Sequence, residues 1–262
     1  MSGMGWPFDH SDALVSPAEA SENMRRMLDV PAEEWKLPPV LVATFQRAAH
    51  ERLLDRAGLD PESPHHPMLP QAGVCESTPV AVNRFGVGAP VAAMALEQAI
   101  ARGVRRILMV GSAGSLREDL ITGTAVLVEG AEREDGTSHH YLPAGERVAA
   151  DPELSQALAA AAMERGMDLV EGRAWTIDAP YRETMGAIRR HRQAGVSVVE
   201  MEAAAIFAVA RVRGVAAALL VSVSDELHGT AWRPGFDDPR YLSTLTLAAD
   251  AAMDCAARSG TG

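Results

Sequence analysis

Cysteine, lysine and aromatic side chains are all scarce in this chain. Only Cys75 and Cys255 are present, and two thiols so far apart supply neither a disulfide framework nor the paired spacing of a zinc site. No metal centre is expected. Lys36 is the only lysine, so nearly all positive charge is guanidinium. Aromatics make up 5% of the residues, which leaves Ala, Val and Leu to fill most of the core. The net charge of -11 is opposite in sign to what a nucleic-acid groove needs, and an anionic ligand would require a local cluster of arginines. No apolar run reaches the roughly 18 residues of a membrane-spanning helix. No basic stretch followed by an apolar one marks a signal peptide. A cytoplasmic protein that touches neither membrane nor nucleic acid is the expectation.

What is present is a regular alternation. Residues 1–36 read as an N-terminal extension, in which Ser16-Pro17-Ala18-Glu19 supplies an N-cap, a first-turn proline and an early acid. Residues 37–262 read as a single domain. Strands are predicted at 40–42, 80–82, 107–110, 124–128, 169–176, 196–199 and 215–223. Helices are predicted at 46–57, from Pro90 to Arg102, and at 152–166, 183–193, 202–213 and 239–257. Strands separated by helices of ten or more residues predict a mainly parallel sheet covered on both faces. In such sheets ligands bind beyond the carboxyl ends of the strands.

Three polar features fall at predicted strand ends. Gly111-Ser112-Ala113-Gly114 follows a clear strand, with glycines that let backbone amides approach a ligand and a serine hydroxyl beside them. Glu200 and Glu202 flank Met201 where an apolar strand meets an apolar helix; two such carboxylates can accept the hydroxyls of a cis-diol such as ribose, or simply oppose a helix dipole. Asp225 ends the strand before it, or caps the segment after it. Gly86-x-Gly88 adds a tight turn without the third glycine of a dinucleotide fingerprint. His139 and His140 are adjacent and read as solvated or core histidines rather than a metal pair.

Five segments occur in order: Val87-Gly88-Ala89-Pro90, Val110 to Gly114, Asp135-Gly136-Thr137-Ser138-His139-His140-Tyr141, Val199-Glu200-Met201-Glu202-Ala203-Ala204-Ala205, and Val223-Ser224-Asp225. Together, across roughly residues 79 to 230, they resemble the nucleoside phosphorylase superfamily: uridine phosphorylases, hexameric purine nucleoside phosphorylases and methylthioadenosine nucleosidases. The resemblance implies a three-layer α/β/α fold with a central mixed, mainly parallel sheet, and cleavage of a purine or pyrimidine N-glycosidic bond. It implies that Met201 and Glu202 hold ribose, that Glu200 lines the base side, and that Asp225 is the general acid. It places Tyr181 and Arg182 near the base and, by position, His10 at a neighbouring subunit's ribose. Gly88, Gly111, Ser112, Ala113, Gly114 and Arg47 fall at the phosphate or nucleophile loops. No cofactor is implied beyond inorganic phosphate as co-substrate; a small-molecule nucleoside partner and a homo-oligomer, dimer or hexamer, are.

The chain departs from that pattern at the phosphate. The family uses a Gly-Asp-Pro-x-Arg loop, an arginine from the neighbouring subunit, and an arginine two residues before the glycine loop. Here those places hold Ala43-Thr44-Phe45-Gln46-Arg47, the region of His65 and His66, and Met109. Arg84, Arg117 and Arg133 are candidate replacements. Two alternatives to phosphorolysis follow: a nucleosidase in which water attacks with Glu200 or another carboxylate as base, and a non-catalytic nucleoside-binding protein.

Overall fold

The first helix begins as its local chemistry dictates. Ser16 Oγ accepts from the Glu19 amide at 3.1 Å and donates to the Glu19 carboxylate at 2.9 Å, while Pro17 occupies the first helical position. The computed structural model describes residues 8–9 and 11–259; His10 lies outside the described residues. Helices α1 (Pro17–Met27) and α2 (Ala32–Trp35) lead into β1 (Val40–Thr44), α3 (Arg47–Arg56), β2 (Gln71–Cys75), β3 (Thr78–Arg84), α4 (Ala89–Ala101) and β4 (Arg106–Ser115). There follow β5 (Ala125–Glu134), α5 (Ser138–Tyr141), β6 (Val148–Ala149), α6 (Pro152–Glu164), β7 (Leu169–Ile177), a 3₁₀ turn (Pro180–Arg182) and α7 (Met185–Gln193). The chain ends with β8 (Val196–Glu200), α8 (Ala203–Arg213), β9 (Ala216–Glu226), β10 (Arg233–Pro234) and α9 (Pro239–Ser259). The extension docks on the end of α4: Trp35 Nε1 donates to Ser21, and the Arg102 guanidinium lies 4.1 Å over the Trp35 ring.

Among the described residues ten strands join one sheet in the order β10-β9-β5-β7-β8-β4-β1-β3-β2, with β6 on β5. The longer pairings, β4 with β9 and β5 with β7, are parallel. Short antiparallel seams join β5 to β9 and β4 to β8. Because β9 also pairs with β4, strands β4, β9, β5, β7 and β8 close into a ring. The seam at β4–β8 joins two carboxyl ends: Gly114 pairs with Val199 on one side and with Asp225 on the other. Three strand ends thus meet at one glycine. One apolar core lies between the sheet and α4 and α8, and includes Leu96, Ile107, Met109 and Phe207. The other lies under α3, α6 and α9, and includes Leu53, Leu158, Leu220 and Met253. These are the two outer layers of a three-layer α/β/α arrangement.

The sequence predicts a strand that ends at Val110, with Gly111–Gly114 as the loop after it. In the structure β4 continues to Ser115, because Gly111 through Gly114 pair residue by residue with β9, with one irregularity after Ala113. Strand β2 is not among the strands predicted from the sequence. It forms a hairpin with β3 through Glu76 and Ser77, whose φ values are 48° and 73°. Such a turn ordinarily announces itself by Asn-Gly or Asp-Gly, and neither is present.

Helix α9 is tied across the lower layer by ion pairs. Arg56 of α3 reaches Asp250 at 2.9 Å and Asp254 at 2.7 Å, and Arg165 at the end of α6 reaches Asp254 at 2.6 Å. Burial alone would push the Asp254 carboxyl up, but the hydrogen bonds from Arg165 and Arg56 outweigh it and hold it below its usual value. A depressed carboxyl stabilises the fold above its unfolded pKa of about 3.9 and loses that contribution as pH falls through the folded value. Asp254→Asn should therefore lower stability by about 1–2 kcal/mol at pH 7. Urea unfolding of both proteins should show that gap closing below about pH 4.

Candidate active site

Each polar strand end is held by a specific bond. Glu200, the last residue of β8, is buried; one oxygen accepts from Thr176 Oγ1 of β7, and the other accepts from the amides of Glu202 and Ala203 at 2.7 and 2.6 Å. The Ala204 amide donates in turn to Thr176 Oγ1. Glu200 thus caps the start of α8, an apolar helix that brings no capping side chain of its own. Glu202 Oε1 accepts from the Gly88 amide at 2.6 Å, which ties α8 to the start of α4. Gly88 has φ 108°, a conformation open to glycine and strained for other residues. Asp225 on β9 is 9% exposed and accepts from Ser224 Oγ at 2.6 Å and from Trp232 Nε1 at 2.7 Å. It does not cap a following helix.

These groups face one cavity of ≈ 610 Å³. Glu200, Met201, Glu202, Ser112, Ala113, Gly114, Asp225 and Tyr181 all line it. Its remaining wall is largely apolar, with Phe45, Met185, Ile188, Leu227, Trp232 and Phe236. Gly111 lies just below, packed near Val221 and Phe45. Gly88 joins through its bond to Glu202. Arg182 is solvent-exposed and outside the lining, whereas Tyr181 stands at the rim, 99% exposed. Arg47 is also outside: it opens α3, is exposed, and pairs with Glu51 at 2.7 Å. The segment from Asp135 to Tyr141 builds the turn after β5, with Asp135 accepting from the amide and hydroxyl of Ser138.

Sequence reasoning assigned no site role to several residues that shape this cavity. Thr176 fixes Glu200, Trp232 holds Asp225, Gln46 Nε2 donates to Ser112 at 2.7 Å, and Glu183 supplies a fourth carboxyl. The sequence cue for Thr176 and Glu183 was their nearness to Tyr181 and Arg182; the loop carrying Trp232 had no pattern to mark it.

The electrostatics are one-sided. Four carboxyls line the cavity, and among the described residues no arginine, lysine or histidine does. Burial pushes Glu200 and Glu202 upward; the Thr176 hydroxyl and the Glu202 and Ala203 amides pull Glu200 back, with Asp135 adding to the rise, while the charge of Glu200 raises Glu202 further and the Gly88 and Met201 amides pull it back. Glu183 is pushed up to about 7 by burial and by the charge of Asp225. Of the candidate cations, Met109 replaces one with an apolar core residue. Arg117 pairs with Asp119, and Arg133 is bound to the carbonyls of Ser138, Leu142, Pro143 and Glu146. Arg84 differs. It ends β3 beside Thr44, its Nε is buried without a hydrogen-bond partner among the described residues, and its charge, after burial and that of His65, holds His50 down to about 4. Among the described residues no group of three or more His, Cys, Asp or Glu side chains is placed to hold a metal ion.

The sequence model of the phosphorylase superfamily matches residues 40–257. A guanosine phosphorylase of Halorubrum lacusprofundi is 31% identical over 152 residues, covering 58% of this chain and 63% of that protein. A uridine phosphorylase of Haemophilus influenzae is 26% identical over 165 residues, covering 58% of this chain and 66% of its own length. The chain thus spans a little under two thirds of each. Among solved structures, a purine nucleoside phosphorylase of Toxoplasma gondii in complex with immucillin-H superposes with a TM-score of 0.76 at 20% identity, covering 88% of this chain and 94% of that one. A uridine phosphorylase of Vibrio fischeri gives 0.74 over 86% of this chain. Such structural likeness speaks to the fold, and the match over residues 40–257 speaks to descent: the chain belongs to the phosphorylase superfamily.

Proposed function

We propose that this protein cleaves the N-glycosidic bond of a nucleoside, with inorganic phosphate as the attacking group. The observation that carries the proposal is the convergence of Met201, Glu202 and Asp225 on one cavity. Glu202 accepts the ribose hydroxyls; its carboxylate also opposes the positive charge that develops at C1′ as the bond to the base lengthens. Glu200 positions it, since one Glu200 oxygen accepts from Thr176 of β7 and the other from the amides of the turn that presents Met201 and Glu202. The base lies toward Asp225, against Tyr181, Trp232 and Phe236. Phosphate approaches from Ser112 and Gln46, on the side of Arg84. The relatives support this reading, since proteins named guanosine and uridine phosphorylase share the matched region. On this reading the enzyme is a pentosyltransferase, needs no cofactor beyond phosphate, and works as a cytoplasmic homo-oligomer. Among the described residues no helix is long and apolar enough to cross a membrane.

One observation favours a second reading. A cavity that among the described residues is lined by four carboxyls and no cationic side chain repels a phosphate dianion, and water carries no such penalty. The nucleophile is then water and the enzyme a nucleosidase.

Base release from a panel of nucleosides, with and without phosphate, separates the two. Phosphorolysis requires a rate that rises with phosphate and yields ribose 1-phosphate; equal rates and free ribose would establish hydrolysis, and no release from any nucleoside would reject both. Arg84→Ala should raise KM for phosphate with little change in KM for the nucleoside. Glu202→Gln removes charge-assisted bonds of about 1.5–3 kcal/mol, a loss of roughly 10- to 150-fold in kcat/KM. Gly114→Ala would set a methyl 2.3 Å from Leu227 Cδ1 and 3.2 Å from Asp225 Oδ2. It should cost about 1–3 kcal/mol in thermal unfolding and displace Asp225.

A further inference from the structure

The two carboxyls at the base end of the cavity stand in different surroundings. Both oxygens of Asp225 already accept hydrogen bonds, from Ser224 Oγ and Trp232 Nε1. Those donors suit an anionic acceptor and fix the side chain in place. Glu183 follows the 3₁₀ turn, lines the same cavity half-buried, and among the described residues its carboxyl accepts no hydrogen bond and makes no ion pair. The charge that bears on it is Asp225, across from β9. Cations on neighbouring elements are turned elsewhere. Arg182 is exposed to solvent; on α7, His191 stacks on Trp175 and faces Glu134, and Arg192 donates to the His228 carbonyl. Two adjacent carboxyls, one supplied with donors and one not, divide into a fixed anion and a proton carrier.

We infer that Glu183, rather than Asp225, is the acid that protonates the departing base. The inference rests on the nucleoside-cleavage reading and holds whichever nucleophile attacks. As the C1′–N bond breaks, its electron pair passes to the base nitrogen, and the Glu183 O–H proton passes to the base. The nucleophile's oxygen supplies the pair for the new C1′–O bond. The proton that nucleophile loses goes to solvent, from which Glu183 is reprotonated before the next turnover. Asp225 keeps the proton on Glu183 by repulsion and holds Trp232 against the base.

The direction of the shift sets the pH dependence. An acid held up near 7 is protonated below that pH and loses its proton above it, so wild-type turnover on a nucleoside should fall as pH rises through about 7. The test compares wild type and Glu183→Gln on the best nucleoside of the panel and on 4-nitrophenyl riboside, whose aglycone leaves without a proton. Glu183→Gln should lose roughly 10²- to 10⁴-fold on the nucleoside, stay within a few-fold on the nitrophenyl riboside, and lose the alkaline fall. Equal losses on both substrates, or a nucleoside rate near wild type, would overturn the assignment and leave the cleavage reading intact. A wild type inert on both substrates overturns that reading and the acid with it. Folding is checked by thermal unfolding, where the variant should be at least as stable as wild type above pH 7. An infrared difference spectrum between the two proteins should show a protonated carboxyl band that disappears as pH rises through about 7; its absence at pH 6 would also count against the inference.

Discussion

Two buried carboxylates hold the start of two helices, and the cavity takes its shape from that constraint. Helices α4 and α8 both begin deep in the protein without a capping side chain of their own. An unsatisfied amide there costs about 1–3 kcal/mol, so the donors at those helix starts need acceptors. Glu200 takes the amides of Glu202 and Ala203; Glu202 takes that of Gly88. The side chains proposed to orient and grip the sugar are therefore the ones that secure the local backbone. A substitution at Glu200 disturbs the helix start and the ribose side together, because one carboxylate serves both.

The same bonds explain how four acids coexist in a cavity lined, among the described residues, by no cation. Amides and helix N-termini carry the partial positive charge that arginines would otherwise supply. Asp225 receives an indole and a hydroxyl donor. Glu183 receives none, and it is the carboxyl whose raised proton affinity has burial first and Asp225 second among its causes. The uneven distribution of donors separates the acids by role more sharply than their positions do. It also leaves phosphate dependent on Arg84, at the edge of β3, or on charge from outside the chain.

Ring closure brings these groups together. Strands β4 and β9 run one way and β5, β7 and β8 the other, and the antiparallel seam between β4 and β8 joins their carboxyl ends. Gly114, paired with both Val199 and Asp225, has no room for a side chain, which is why the three strand ends approach so closely.

Local chemistry made much of this legible in the amino-acid order alone. The Ser16 cap, the alternation of strand and helix, and the polar residues at the ends of β4, β8 and β9 all express short-range periodicity or capping. The ordered motifs carried the family. Long-range pairing determined the rest. Gly111–Gly114 are strand because β9 lies beside them, and the Glu76-Ser77 turn is held by the β2–β3 ladder rather than by turn-favouring residues. Arg47, matched by motif position, faces solvent because α3 begins there and Glu51 is one turn away. Glu183 gains its importance from Asp225, distant in sequence but facing the same cavity, and Trp232 from a bond to Asp225 that no local pattern announces. Residue type and spacing determine what a segment is able to form; which groups share a cavity, and which of them find hydrogen-bond donors, is decided only when the sheet closes.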